Sequence, residues 1–292
     1  AHGGSTWVLT ATPLLNKPQE LWNVAMCAGV AIEAFGGSRT FCEIAGGVQG
    51  RFALEWMPHR ANNDAIAEAL RPVMLRRLKA EVLSHLPPKQ RQTITVTIAP
   101  KSAEQKALDA GLAMLANGAP PEDLDPRMPE FKKLSRALAV LGGLKYEAAL
   151  DLLASYEDAN EPIVVFSTHQ ASVDALKARE GWVGFHGGTP EDERQAAVDA
   201  FQRGDAKGIA VTIQAGGVGI TLTRARTAIF LERSWTPALD AQAEDRIHRI
   251  GQGASHVQYV TIVADHPIDE RISELHDRKE AFAVGVDGAA RA

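Results

Sequence analysis

The run QAEDRIHRIGQ, residues 242–252, places Gln242, Arg246 and Arg249 at i, i+4 and i+7, the spacing of one face of an α-helix. Two guanidiniums with a glutamine one turn before them form a planar fork of donors suited to phosphate oxygens. The flanks punctuate such a helix, with Thr236 as its cap, Pro237 in its first turn and Gly251 to close it. The bland alternative is a solvated amphipathic helix carrying two surface arginines.

Other segments could approach a polyanion. GIAVTI (208–213) is a short β-rich apolar run that leads into QAGGVGITLT (214–223). A buried strand feeding a glycine-rich turn lets backbone N–H groups come close to a phosphate or sugar. Gly217 and Gly219 lack a third glycine three places on, so this is no dinucleotide fingerprint. PIVVFSTH (162–169) reads as a buried strand with polar residues at its end. WVGFHGGTPEDERQAAVDAF (182–201) reads as a strand, a glycine turn and a helix with Thr189 as cap and Pro190 at its start. WVLTATP (7–13) is a strand running into a Thr-Ala-Thr-Pro turn, and RPVMLRRLKAEVLSHLPPKQR (71–91) is a basic helical stretch stopped by Pro87-Pro88.

The motif Q-x-x-D-R-x-x-R resembles the arginine-finger motif of helicase-like ATPases built from two RecA-type lobes. The trailing I-G-Q narrows that resemblance to the SWI/SNF family of DNA translocases. Ala215 to Gly219 resembles that family's A-G-G-x-G, Thr10 to Pro13 its T-G-T-P, and Trp235-Thr236-Pro237 its W-N-P. R-R-L-K followed by L-P-P-K looks closest to the fork-remodelling, annealing-helicase branch. Departures fall at Ala11, Gln214, Thr221 and Thr236, where the family favours other residues, and they bear on single contacts rather than on the fold.

The resemblance implies a DNA-dependent ATPase that moves along duplex or branched DNA, using ATP and Mg²⁺ held mainly by first-lobe motifs. It implies Arg246 and Arg249 as catalytic groups, with Gln242, Asp245, Gly217 and Gly219 at the nucleotide. Ser167, Gly187, Gly188, Thr189 and Thr212 would lie on the DNA backbone, and Thr10 and Thr12 would couple the two sites. No metal ligand set and no oligomer is implied. Two rival readings stand beside it. One is a non-hydrolysing DNA- or partner-binding module from a split or degenerate gene. The other, a DEAD-box RNA helicase, is disfavoured because H-R-x-G-R-x-G-R is replaced by His248-Arg249-Ile250-Gly251-Gln252.

A phosphate cradle of the form G-x-x-x-x-G-K-[S/T] needs a Gly-Lys pair, and the 292 residues contain none. The Asp-Glu pairs, Asp192-Glu193 and Asp269-Glu270, do not end apolar strands as a Mg²⁺-holding Walker B would require. The expectation is therefore the C-terminal part of a longer translocase, cut within its first lobe and inactive alone.

Composition sets the outer bounds. Charged residues at 23%, hydrophobic residues at 45% and a net charge of −5 suit a soluble globular chain without a global basic field, so DNA contact must come from local patches. The densest patch is Arg71, Arg76, Arg77 and Lys79, with Lys89 and Arg91 beyond. Cys27 and Cys42 have no second pair to make a zinc site and suit a reducing interior, and no apolar run reaches the length of a membrane span. An intracellular location follows, cytoplasmic in a prokaryote or virus and nuclear in a eukaryote.

These motifs must be positioned by an α/β fold. Apolar β-type runs at 163–167, 182–185, 209–213, 227–232 and 257–263 alternate with helical runs, which predicts a mostly parallel RecA-like sheet wrapped by helices over 141–283, followed by a tail at 284–292. Residues 1–100 read as the remnant of a first lobe with a helical protrusion, and strand 91–99 is expected to return to that lobe's sheet. Residues 101–140 read as linker and helical protrusion, with a proline-rich loop at 117–129. A Gly142-Gly143 break is expected in the helix over 131–156.

Overall fold

The run IVVFS is buried at all five positions, which a strand tolerates only in a sheet covered on both faces. It forms the centre of a six-stranded parallel sheet in a computed structural model that describes residues 6–10, 18–49, 54–56, 61–75, 77, 79–116, 127–216 and 219–289. The chain divides into two units, one of residues 1–84, 236–238 and 276–292, the other of 85–235 and 239–275.

In the first unit, helices α1 (Gln19–Ala28), α2 (Ala31–Phe35) and α3 (Ser38–Ile44) precede an antiparallel pair, β1 (Gly47–Gln49) and β2 (Leu54–Trp56), then α4 (Asn63–Leu70) and α5 (Lys79–Val82). Asn62 starts α4 by accepting from the Ala65 N–H at 3.0 Å. Phe35, Phe41, Leu21 and Ile66 form the core, with the Phe35 and Phe41 rings edge to face at 4.9 Å. The helical stretch before Pro87 is interrupted after Leu70, where Pro72 cannot continue it, and is helical again at Lys79–Val82. Residues 6–10 are exposed and carry no strand, unlike the expectation for 7–13, and residues 11–13 with Thr12 lie outside the described residues.

The second unit runs β3 (Lys89–Val96), α6 (Ser102–Ala116), α7 (Pro129–Ala148), α8 (Leu150–Asp158), β4 (Ile163–Ser167), α9 (Gln170–Lys177), β5 (Trp182–Phe185), α10 (Glu191–Arg203), β6 (Gly208–Thr212), α11 (Ile213–Gly216), β7 (Thr227–Phe230), α12 (Pro237–Glu244), β8 (Val257–Ala264) and α13 (Pro267–Ala289), the last running on into the first. The sheet order is β3-β8-β7-β4-β6-β5, every pair parallel. Alternate residues of each strand serve opposite faces. Val164, Phe166, Ile209 and Val211 pack with Phe201 of α10 and Ala243 of α12, while Ile163, Val165 and Ala210 pack with Leu153 of α8 and Leu176 of α9.

Three expectations change. Strand β3 does not return to a first-lobe sheet: it pairs with β8 in unbroken register from Lys89↔Val257 to Val96↔Ala264. Its alternating pattern, with Ile94 and Val96 packed against the Val165 and Ile262 side, suits an edge strand with one face covered. Likewise α6 and α7, expected as linker, share a core of Leu108, Leu134, Ala137 and Leu141 with Ile268 within the second unit. The glycine pair in α7 causes no break, since the helix runs through to Ala148. Gly142 is instead a point of close approach, where a Cβ would stand 2.6 Å from Glu232 Oε1.

Candidate functional site

Parallel strands put all their amino ends along one edge of the sheet and all their carboxyl ends along the other. The candidate residues divide between these two edges.

At the amino edge lies the arginine motif. Its first turn is helical, but α12 ends at Glu244, so Gln242, Arg246 and Arg249 do not share one helical face. The chain tightens into turns in which Arg246 N–H donates to Ala243 O at 3.1 Å and Ile247 N–H to Glu244 O at 3.1 Å. Glu244 O accepts one more helical bond, from His248 N–H at 3.0 Å, and also accepts from the Tyr259 hydroxyl at 2.9 Å, whereas Arg246 O is engaged elsewhere, by Leu222 N–H at 2.9 Å. Arg249 Nη1 donates to Ile220 O at 3.0 Å. Gly251, at φ +100°, closes the turn, and Gln252 Nε2 donates to Ala225 O at 2.8 Å.

The motif is thus laced to the segment that follows Gly219, itself exposed with φ +66°. Gly217 lies outside the described residues. Arg249 is exposed, while Gln242, Asp245 and Arg246 are half-buried. Burial first, and then the charge of Arg249, lower the affinity of the Arg246 guanidinium for its proton, against the pull of Asp245.

A carboxylate cluster underlies this turn. Glu244 accepts from Arg91 Nε at 2.9 Å and Nη2 at 2.7 Å, and from Lys89 Nζ at 3.0 Å. Lys89 Nζ also reaches Asp245 Oδ1 at 3.3 Å. The His248 ring nitrogen Nε2 lies 2.9 Å from Pro87 O. Tyr259 is almost fully buried beneath, its pKa raised first by burial and then by Glu244 and Asp245, so it stays a neutral donor.

At the carboxyl edge, β5, β6 and β4 are neighbours and end in the other candidates. Ser167, Thr212 and Thr189 are buried there, and Gly187 and Gly188 are exposed. Ser167 Oγ donates to Glu232 Oε2 at 2.7 Å, and the same oxygen accepts from Thr168 N–H at 3.0 Å. Thr189 Oγ1 accepts from His186 N–H at 3.1 Å, and Arg194 donates to the carbonyls of Gly187 and Thr189, both at 2.7 Å. These hydroxyls hold turns; the turns' exposed backbone is what faces outward. A cleft of about 200 Å³ opens beside them, lined by His169, Gln214, Glu232, Arg233 and Trp235. In the first unit Thr10 is exposed.

Glu232, Tyr259 and Glu244 carried no sequence signal of these roles because they work through partners distant in the chain, Arg194 works through the backbone of the neighbouring turn, and Lys89 and Arg91 were marked only as part of a basic patch.

The fold and this site define a helicase-like α/β protein: residues 144–251 match the helicase conserved C-terminal domain and residues 3–112 the SNF2-related domain. The chain belongs to the SNF2-related, helicase-like family. It is 32% identical over 265 residues to the SWI/SNF-related matrix-associated actin-dependent regulator of chromatin subfamily A-like protein 1 homolog of Caenorhabditis elegans, covering 87% of this chain and 37% of that one. It is 31% identical to the DNA annealing helicase and endonuclease ZRANB3 of Mus musculus, covering 93% and 26%. An ISWI chromatin-remodeling complex ATPase of Arabidopsis thaliana is 29% identical, covering 94% and 28%. The chain therefore spans between a quarter and two fifths of these relatives' lengths. Among the described residues no helix is long and apolar enough to cross a membrane.

Proposed function

We propose that this chain works as the C-terminal part of a DNA-dependent ATPase, its second unit acting as a RecA-like lobe. The carrying observation is the arginine turn, laced through Arg246 O and Arg249 Nη1 to the strand-following segment at Ile220 and Leu222. Such lacing fixes two guanidiniums in a preorganised cationic pair, one exposed and one half-buried. That donor set fits the oxygens of a nucleoside triphosphate and repels a divalent cation, so Mg²⁺ would be held by residues elsewhere.

Arg249 and Arg246 would neutralise charge developing on the transferred phosphoryl group. Gln242 and the glycine turn of Gly217 and Gly219 would position the nucleotide. Asp245, paired with Lys89, would orient the turn. DNA would lie along the carboxyl edge, gripped by the backbone at Gly187, Gly188 and the turns after Ser167 and Thr212, with those buried hydroxyls and Thr189 fixing the loops. Thr10 and Thr12 would couple the nucleotide site to that grip. The annealing-helicase branch is the proposed kinship within the family, and the work of the protein would be nuclear in a eukaryote.

The test is steady-state phosphate release, with duplex DNA, from this chain and from the full-length gene product. The reading expects turnover only when a Walker A and B segment is present. Hydrolysis by the 292 residues alone, above a mock-purified control, would contradict it.

A further inference from the structure

The chain enters the second unit at residue 85, and within six residues it contacts the arginine turn through three groups. Pro87 O meets His248 Nε2, Lys89 Nζ meets Glu244 and Asp245, and Arg91 forms a two-pronged pair with Glu244. Glu244 is the last residue of α12, and its side chain is about one-tenth exposed. A carboxylate so enclosed needs both cations; its backbone carbonyl meanwhile accepts both the His248 N–H at 3.0 Å and the Tyr259 hydroxyl at 2.9 Å. That residue is therefore an anchor, and just past it the chain tightens, with Arg246 N–H and Ile247 N–H bonded to carbonyls three residues back, instead of carrying Arg246 and Arg249 onward along α12.

We infer that Lys89 and Arg91 are positioning residues for the arginine pair. By clamping Glu244 they fix where α12 ends and hence where Arg246 and Arg249 point. They do so from β3 at the edge of the second unit's sheet, so the position of that strand and the aim of the arginines are mechanically one element. The residues touch neither nucleotide nor DNA in this reading. The inference rests on the proposal that the arginines serve phosphoryl transfer, and it deepens that proposal by naming what holds them.

A mere structural staple would lower stability alone. A positioning clamp would lower the catalytic constant and leave substrate affinity in place, since misplacing a catalytic group by about 1 Å can cost about 10²-fold. The experiment compares Glu244→Gln, Lys89→Met, Arg91→Ala and Arg249→Ala in the full-length protein, with ATP and a blunt linear duplex as substrates. Lys89→Met keeps the apolar stem and removes a single charge, so it reads the clamp even where Glu244→Gln compromises folding.

With melting temperature followed in parallel, the clamp predicts kcat lowered about 10- to 100-fold in the first three variants and KM for ATP changed less than about 3-fold. Lys89→Arg should retain kcat, because the charge remains. If Arg249→Ala is inactive while Glu244→Gln, Lys89→Met and Arg91→Ala turn over normally, the clamp is overturned and the arginine assignment stands. If Arg249→Ala itself turns over normally, the arginine assignment falls and takes the clamp with it.

Discussion

Arg249→Ala removes an exposed guanidinium that donates to the Ile220 carbonyl at 3.0 Å. Losing such a bond costs about 0.5–1.5 kcal/mol, and water competes for both partners here, so the low end applies. A unit of this size loses about 2–4 °C of melting temperature per kcal/mol, and the folding penalty should be no more than that. The chemical penalty is of another order. Arginine fingers in phosphoryl transfer contribute about three to five orders of magnitude in turnover, or about 4–7 kcal/mol of barrier. The two readouts therefore separate cleanly: a melting curve almost superimposed on the parent, and phosphate release at saturating duplex DNA reduced at least a thousandfold. ATP and DNA affinity should change much less. Arg249→Lys should not restore turnover, because a point charge lacks the planar fork. Arg246→Ala should be as inactive and melt lower, since Arg246 is half-buried. Near-normal hydrolysis by Arg249→Ala in the full-length protein would show that the motif is a surface turn and that the site assignment is wrong.

Residues 85–275 expressed alone should melt cooperatively, whereas 101–275 should not, because it lacks β3 and uncovers the edge of β8; equal stability of the two by thermal denaturation would refute the sheet order at that edge. Gly142→Ala should destabilise by about 1–3 kcal/mol through overpacking against Glu232 and His169, partly offset by about 1 kcal/mol of helix propensity, and urea titration would show it. Glu232→Ala should strand the Thr168 N–H and loosen the turn after β4, costing about 1–3 kcal/mol in the same titration. The Arg226 hydrogen bond holds the Glu161 carboxyl below its ordinary value of 4.5, so its contribution is present above that value and lost as pH falls through the depressed one. Arg226→Ala should accordingly lower the melting temperature at pH 7, with the gap to the parent closing in acid; a gap that widened on acidification would reverse the assignment.

Much of this protein was written in local sequence. Five strands of the parallel sheet were legible because each is a short β-rich run bounded by turn residues, and a strand buried on both faces has no other way to satisfy its backbone. The start of α12 at Pro237 and the closing turn at Gly251 were equally local, set by φ preferences of single residues. What periodicity could not decide was competition between partners far apart in the chain. The arginine run has perfect helical spacing, yet Leu222 claims the Arg246 carbonyl, Tyr259 shares that of Glu244, and the chain tightens into turns after Glu244. Strand β3 has the pattern of an edge strand but carries no mark of which edge, and only its register with β8 assigns it. Gly142 reads as a breaker until the Glu232 carboxylate is found in the space its side chain would fill. In each case the local signal fixed the element's type, while its extent and its neighbour were set by tertiary groups tens to well over a hundred residues away, whose hydrogen bonds and packing outweigh propensities of a fraction of a kcal/mol per residue to about 1 for glycine.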